Sequence, residues 1–114
     1  MGTDEVNTGA TYAIRRSVPR YSLIASVEII EPADDVRLSG RISEISRKGC
    51  YVDMLNTLPT GTLIVVRISR DQGAFETQGK VIYAQESMGM GIAFLDPPEE
   101  QLQTLDAWLE ELSV

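Results

Sequence analysis

A chain of 114 residues, 43% hydrophobic and 24% charged, has the make-up of one globular domain able to build its own core. Its net charge of −7, from 17 acidic and 10 basic residues, argues against a general nucleic-acid binder, which needs a basic surface to meet phosphates. One cysteine and no histidine exclude a disulfide framework and a Ser-His or Cys-His dyad, and leave a His/Cys zinc site without its ligands.

In chain order, the acidic start Met1-Gly2-Thr3-Asp4-Glu5 has no apolar stretch behind it, so no signal peptide is expected. Val6 stands where a myristoylation signal has Ser or Thr. Apolar runs such as Leu63-Ile64-Val65-Val66 fall far short of the roughly 20 residues of a membrane-spanning helix. A cytoplasmic protein without membrane insertion is therefore expected. Residues 1–14 lack periodicity and read as a flexible lead-in, and the domain proper is expected over 15–114.

From Tyr21, apolar residues recur at period two (Leu23, Ala25, Val27, Ile29), the mark of a strand with one buried face. Glu31-Pro32-Ala33-Asp34-Asp35 is a turn. Val36, Leu38, Gly40, Ile42 and Glu44 continue the alternation to Ser46, and Ser46-Arg47-Lys48-Gly49 breaks the chain before a short strand from Cys50 to Met54. A turn at Leu58–Thr62 leads to a strand in which Ile64, Val66 and Ile68 share a face. Asp71-Gln72-Gly73 turns the chain again. Phe75, Thr77, Gly79, Val81 and Tyr83 form one face of a long strand, with Gly79 marking a bend or bulge, and Gly89–Leu95 is the last strand. A helix is expected over 97–113, capped by Asp96, with Pro97 and Glu99 in its first turn. Leu102, Leu105, Leu109 and Leu112, with Trp108 beside them, form an apolar stripe that would make the helix a lid on a barrel. Short strands at regular intervals followed by one helix predict an all-β barrel with a C-terminal α-helix.

The charge is unevenly spread. Residues 71–114 carry many acids with Lys80 as their only base, while Arg15, Arg16 and Arg20 crowd one short segment. A basic focus on an acidic protein suits a small anionic ligand better than a long polyanion. Pro19 keeps that segment extended rather than helical. At the end of the second strand, alternation puts Glu44 and Ser46 on one face, opposite Ile45, and Gly49 permits close ligand approach. A guanidinium matches phosphate and the O6/N7 edge of guanine, and a carboxylate accepts from guanine N–H groups. The set suits a guanine nucleotide. With no general base of near-neutral pKa, it does not suit catalysis.

Arg16-x-x-x-Arg20 followed by Glu44-x-Ser46-x-x-Gly49 resembles the PilZ domain, whose pattern is Arg-x-x-x-Arg and then, about twenty to thirty residues on, Asp/Asn-x-Ser-x-x-Gly. Gly49-Cys50, Gly79-Lys80-Val81 and Gly91-Ile92-Ala93-Phe94 before a terminal helix extend the likeness over residues 15 to about 112. The resemblance implies a six-stranded antiparallel barrel that binds cyclic di-GMP, a bacterial second messenger, without catalysis, metal or cofactor. It implies that Arg16 and Arg20 grip phosphates and guanine edges, that Ser46 and Gly49 line the pocket floor, and that residue 44 reads the guanine amine. Arg15 looks like the extra arginine of members that bind an intercalated ligand dimer. The N-terminal segment would fold over the nucleotide and reposition an unidentified protein partner. Glu44 departs from the family's Asp or Asn by one methylene, about 1.5 Å, and modestly weaker binding is expected.

Two rival readings remain. Glu44 alone supports an interaction module of the same fold that has lost its ligand. A single-stranded nucleic-acid binder would want several exposed aromatics on one face and a basic groove, against 6% aromatic residues. Cys50, Met88, Met90 and Trp108 read as packing residues, Tyr21 as the start of the strand core and Tyr12 as a possible base stacker. The pairs Asp34-Asp35 and Glu99-Glu100 read as turn and helix-start residues.

Overall fold

In the computed structural model, which describes residues 18–113, the alternating stretches are antiparallel strands. They are β1 (Arg20–Glu31), β2 (Val36–Ser46), β3 (Gly49–Asp53), β4 (Leu63–Arg70), β5 (Gly73–Gln85) and β6 (Gly89–Leu95), followed by α1 (Glu99–Leu112). The strands close into a barrel in the order β1-β2-β3-β6-β5-β4, with β1 pairing to β4. Closure gives each described strand a neighbour on both sides, and the expected barrel with its C-terminal helix is the architecture found. Arg15, Arg16, Tyr12 and the lead-in 1–14 lie outside the described residues.

Each strand contributes its inward face to one core: Val27 and Ile29 from β1, Ile42 and Ile45 from β2, Val52 from β3, Val66 and Ile68 from β4, Phe75 and Val81 from β5, Met90 and Ile92 from β6. Phe75 and Phe94 meet with ring centroids 4.9 Å apart, tilted by 60°, a favoured aromatic geometry. Buried polar groups are satisfied. Glu31 accepts from the Ala33 and Asp34 amides at 2.9 and 3.0 Å, fixing the β1–β2 turn. Thr77 Oγ1 donates to the Leu95 carbonyl.

Three strands carry register shifts, and two of them, β2 and β5, depart from strict alternation, while β1 keeps one phase throughout. Register shifts fall at Ser22/Ala25 in β1, Ile42/Glu44 in β2 and Val81/Tyr83 in β5. In β2 and β5 the inserted residue turns the later side chains to the opposite face. Ile45 is therefore buried where continued alternation predicts Glu44, and Glu44 faces outward with Ser46. Likewise Tyr83 does not share the face of Phe75 but is half-exposed. The bulge of β5 sits at Ile82 rather than at Gly79. Gly79 faces inward instead, where a Cβ would lie 3.0 Å from the Ile92 side chain and 3.1 Å from the Ala93 carbonyl.

The helix starts later than expected. Pro97 precedes a second proline, which forces it out of the helical region. Pro98 is itself extended, and Glu99 is the first helical residue. Asp96 adopts a left-handed φ of 44° and makes no cap; Glu99 and Glu100 supply the favourable charge at the helix N-terminus. Leu105 and Trp108 are buried against the barrel, with Leu102, Leu109 and Leu112 packed beside them. Polar ties fix the helix in place: Arg47 to Asp106 at 2.8 Å, Arg70 to Glu111 at 2.6 Å, and the Glu76 amide to Gln101 Oε1 at 2.8 Å. Of the two methionines expected to pack, Met90 is fully buried in β6 but Met88, in the β5–β6 turn, is exposed, as loop residues generally are.

Candidate functional site

The bulges converge on one transverse row. Ser22, Glu44, Tyr51, Gly91 and Tyr83 are successive Cα partners across β1, β2, β3, β6 and β5. Adjacent strands lie about 4.8 Å apart, so Glu44 and Tyr83 stand roughly 14 Å from each other along the outer surface. Over this row lies a cavity of about 420 Å³. Arg20, Glu44, Ser46, Lys48 and Gly49 line it as a polar wall and Tyr51, Ile82, Tyr83 and Gly91 as an aromatic wall, the two meeting side by side where Glu44 pairs with Tyr51. The structure thus brings together Arg20, Glu44, Ser46 and Gly49, and adds Lys48, Tyr51 and Tyr83, which sequence reasoning missed. A larger groove of about 810 Å³ between the start of β1 and α1 contains none of Glu44, Ser46 and Gly49.

Arg20 Nη1 donates to Glu44 Oε1 at 3.3 Å. Both side chains are close to half exposed, 45% and 44%, so the pair is worth about 0–1 kcal/mol and opens readily to a better partner. Ser46 lines the cavity, but its hydroxyl is committed to the chain itself: it accepts from the Lys48 and Gly49 amides at 3.1 and 3.2 Å and donates to the Gly49 carbonyl at 3.4 Å. It shapes the turn that presents the cavity floor. Gly49 has no left-handed backbone, contrary to the freedom its position suggests. It is required because a Cβ there would overlap the Ile92 carbonyl oxygen across the β3–β6 pairing.

The aromatic wall is equally constrained. Tyr51 and Tyr83 stack with centroids 6.0 Å apart and planes 30° apart. Tyr51 Oη donates to Gln85 Oε1 at 2.9 Å, and its phenol is pushed above its ordinary pKa by desolvation first, then by Tyr83 and Asp53. A Cβ on Gly91 would overlap the Tyr83 ring, and one on Gly89 would crowd Tyr51. Glycines at alternate positions opposite two tyrosines are the sequence sign of rings lying on backbone.

Cys50 lies beneath the floor, and burial pushes its thiol up to about 12. Arg47 and Lys48 beside it do not activate it. A raised folded-state value means that thiolate forms more easily in the unfolded chain, so stability is complete below pH 9 and falls as pH rises toward 12. At pH 10 the loss is expected to be about 1.4 kcal/mol, seen as a drop in denaturation midpoint that Cys50→Ala abolishes. A midpoint equally pH-dependent in Cys50→Ala would assign the effect elsewhere.

Among the described residues no group of three or more His, Cys, Asp or Glu could hold a metal, and no helix is long and apolar enough to cross a membrane. No curated protein matches the chain in sequence. Solved structures share its fold. The PilZ domain of YcgR from Escherichia coli, solved with c-di-GMP, superposes with a TM-score of 0.73 at 17% identity, over 87% of this chain and 92% of that one. The PilZ domain of CeSA from a cellulose-synthesizing bacterium gives 0.67 at 19%, over 84% and 99%. The Bacillus subtilis inhibitor of motility, MotI/DgrA, gives 0.67 at 19%, over 82% and 48%. The profile of the PilZ domain matches residues 14–111, nearly the whole chain. Barrel, terminal helix, motif spacing and family match agree: the chain belongs to the PilZ domain family.

Proposed function

We propose that this chain is a cyclic di-GMP receptor that works by binding and conformational change, without catalysis. The observation that carries the reading is the meeting of Arg20, Glu44, Ser46 and Gly49, from two separate stretches of sequence, around one cavity of about 420 Å³. Arg20 offers a forked donor to phosphate or to the guanine O6/N7 edge, and Glu44 accepts from the guanine amine. Val18 lines the cavity, and Arg16 and Arg15 precede it closely in the sequence. Arg16 completes the phosphate grip, and Arg15 holds a second nucleotide. Binding fixes that segment over the ligand and presents a changed surface to a protein partner.

The test is a calorimetric titration with cyclic di-GMP, with GTP and the linear dinucleotide as controls. Micromolar or tighter binding is expected; two nucleotides per chain support the role of Arg15, and one removes it. Silence would favour the second reading, an interaction module whose ligand was lost at Glu44. That reading draws on the Arg20–Glu44 pair, which occupies both groups with each other. The pair is too weak to block a ligand, which favours the receptor. Glu44→Asp, shorter by about 1.5 Å, no longer reaches Arg20, and affinity is expected to rise by up to about fivefold. A fall on that change would show that the longer carboxylate is the better reader of this ligand.

A further inference from the structure

The polar wall of the cavity accounts for phosphates and a base edge, but the aromatic wall has no role in the motifs. Tyr83 is 45% exposed and Ile82 50%, although both stand in a strand whose preceding residues alternate cleanly between core and solvent. The bulge at Val81/Tyr83 turns the ring out of the core. Three further features then hold it in a fixed pose. Gly91 lies directly beneath the ring, Tyr51 stacks beside it, and Gln85 anchors the Tyr51 hydroxyl at 2.9 Å. An exposed aromatic that were merely tolerated would need none of these. A ring preset against motion loses little entropy when a flat ligand settles on it.

We infer that Tyr83, backed by Tyr51, is a stacking platform that takes the face of a nucleobase in this cavity, while Arg20 and Glu44 read an edge, Glu44 standing some 14 Å away along the same row. The inference rests on the nucleotide reading of the site. It divides the labour chemically. Every base has a π-face, so the platform adds affinity without choosing among bases; the choice of guanine falls to the hydrogen-bonding wall. Two separated subsites also suit a ligand with two bases better than a mononucleotide.

The experiment compares wild type, Tyr83→Leu and Tyr83→Phe by calorimetry with cyclic di-GMP. It adds the fluorescence of a cyclic dinucleotide carrying 2-aminopurine in place of one guanine, which dims on stacking. Tyr83→Leu is expected to bind about ten- to hundredfold more weakly and, at saturation, to leave the probe brighter than wild type does. Tyr83→Phe keeps the ring and is expected to match wild type in both. Because the side chain is half-exposed, melting temperature should change little; Tyr83→Val, a good strand former, replaces Tyr83→Leu if that variant does not fold. Wild-type binding with Tyr83→Leu within about threefold of it, or an equally dim probe, overturns the platform alone. A wild type that binds no cyclic di-GMP overturns the receptor reading and the platform with it.

Discussion

Replacing Arg20 with alanine is expected to weaken cyclic di-GMP binding about a hundredfold or more. Hydrogen bonds to charged groups contribute about 1.5–3 kcal/mol each, and a guanidinium on phosphate or guanine makes them in pairs. A second effect acts in the same direction. Glu44 faces Arg20 at 3.3 Å, and without that partner its carboxylate would confront an anionic ligand uncompensated. The two effects separate in a double variant. Arg20→Ala/Glu44→Gln is expected to recover part of the loss, since the repulsion goes while the missing donors stay missing. Arg20→Lys keeps the charge but not the fork, and belongs between wild type and alanine. Titrations at one fixed ionic strength measure all four. If Arg20→Ala binds within about threefold of wild type, the polar wall has been assigned wrongly.

Gly49→Ala is expected to damage the fold before it touches the ligand. Its new methyl would overlap the Ile92 carbonyl oxygen, a backbone atom that no rotamer change can move. Glycine 49 pairs with Ala93, and Cys50 with Ile92, at the β3–β6 seam; relieving the overlap means parting the strands that close the barrel beneath the cavity. Overpacking of this kind costs about 1–3 kcal/mol, or more when backbone must move. At about 4 °C per kcal/mol that lowers the melting temperature by roughly 4–12 °C. Ser46→Ala should move stability in the same direction by less, because it removes the hydroxyl that satisfies the Lys48 and Gly49 amides. A Gly49→Ala protein that melts like wild type but binds poorly would instead make this glycine a ligand contact.

Both residues of the Ser-x-x-Gly motif therefore act on the site largely through the chain around them. Read in sequence, they are pocket floor. In the structure, Ser46 ties the turn and Gly49 lets two strands close, and the cavity floor is the consequence. Arg20 and Glu44 remain the proposed direct contacts to the ligand.

The strands were legible because burying one face of a sheet imposes a period of two on the sequence, and the helix because its leucines follow a period near 3.6. Ala25-Val27-Ile29, Ile64-Val66-Ile68 and Leu102-Leu105-Leu109 each carry that information locally. Where the helix begins was also written in the chain, at Pro97-Pro98, through a local steric rule rather than the capping pattern at Asp96. The phase of a strand after a bulge was not. Whether Ile45 or Glu44 turns inward, and whether Tyr83 joins Phe75 in the core, depends on the register of the neighbouring strands.

By itself, then, the sequence determined the barrel and its terminal helix, since these rest on local periodicity, and residue type alone singled out Arg20 and Glu44 as candidates. Only the tertiary structure decided which side chains share the cavity. Three bulges and the glycines at 49, 89 and 91 are set by how strands distant in sequence pack on one another, and that packing placed Tyr51 and Tyr83 in one cavity with Arg20 and Glu44.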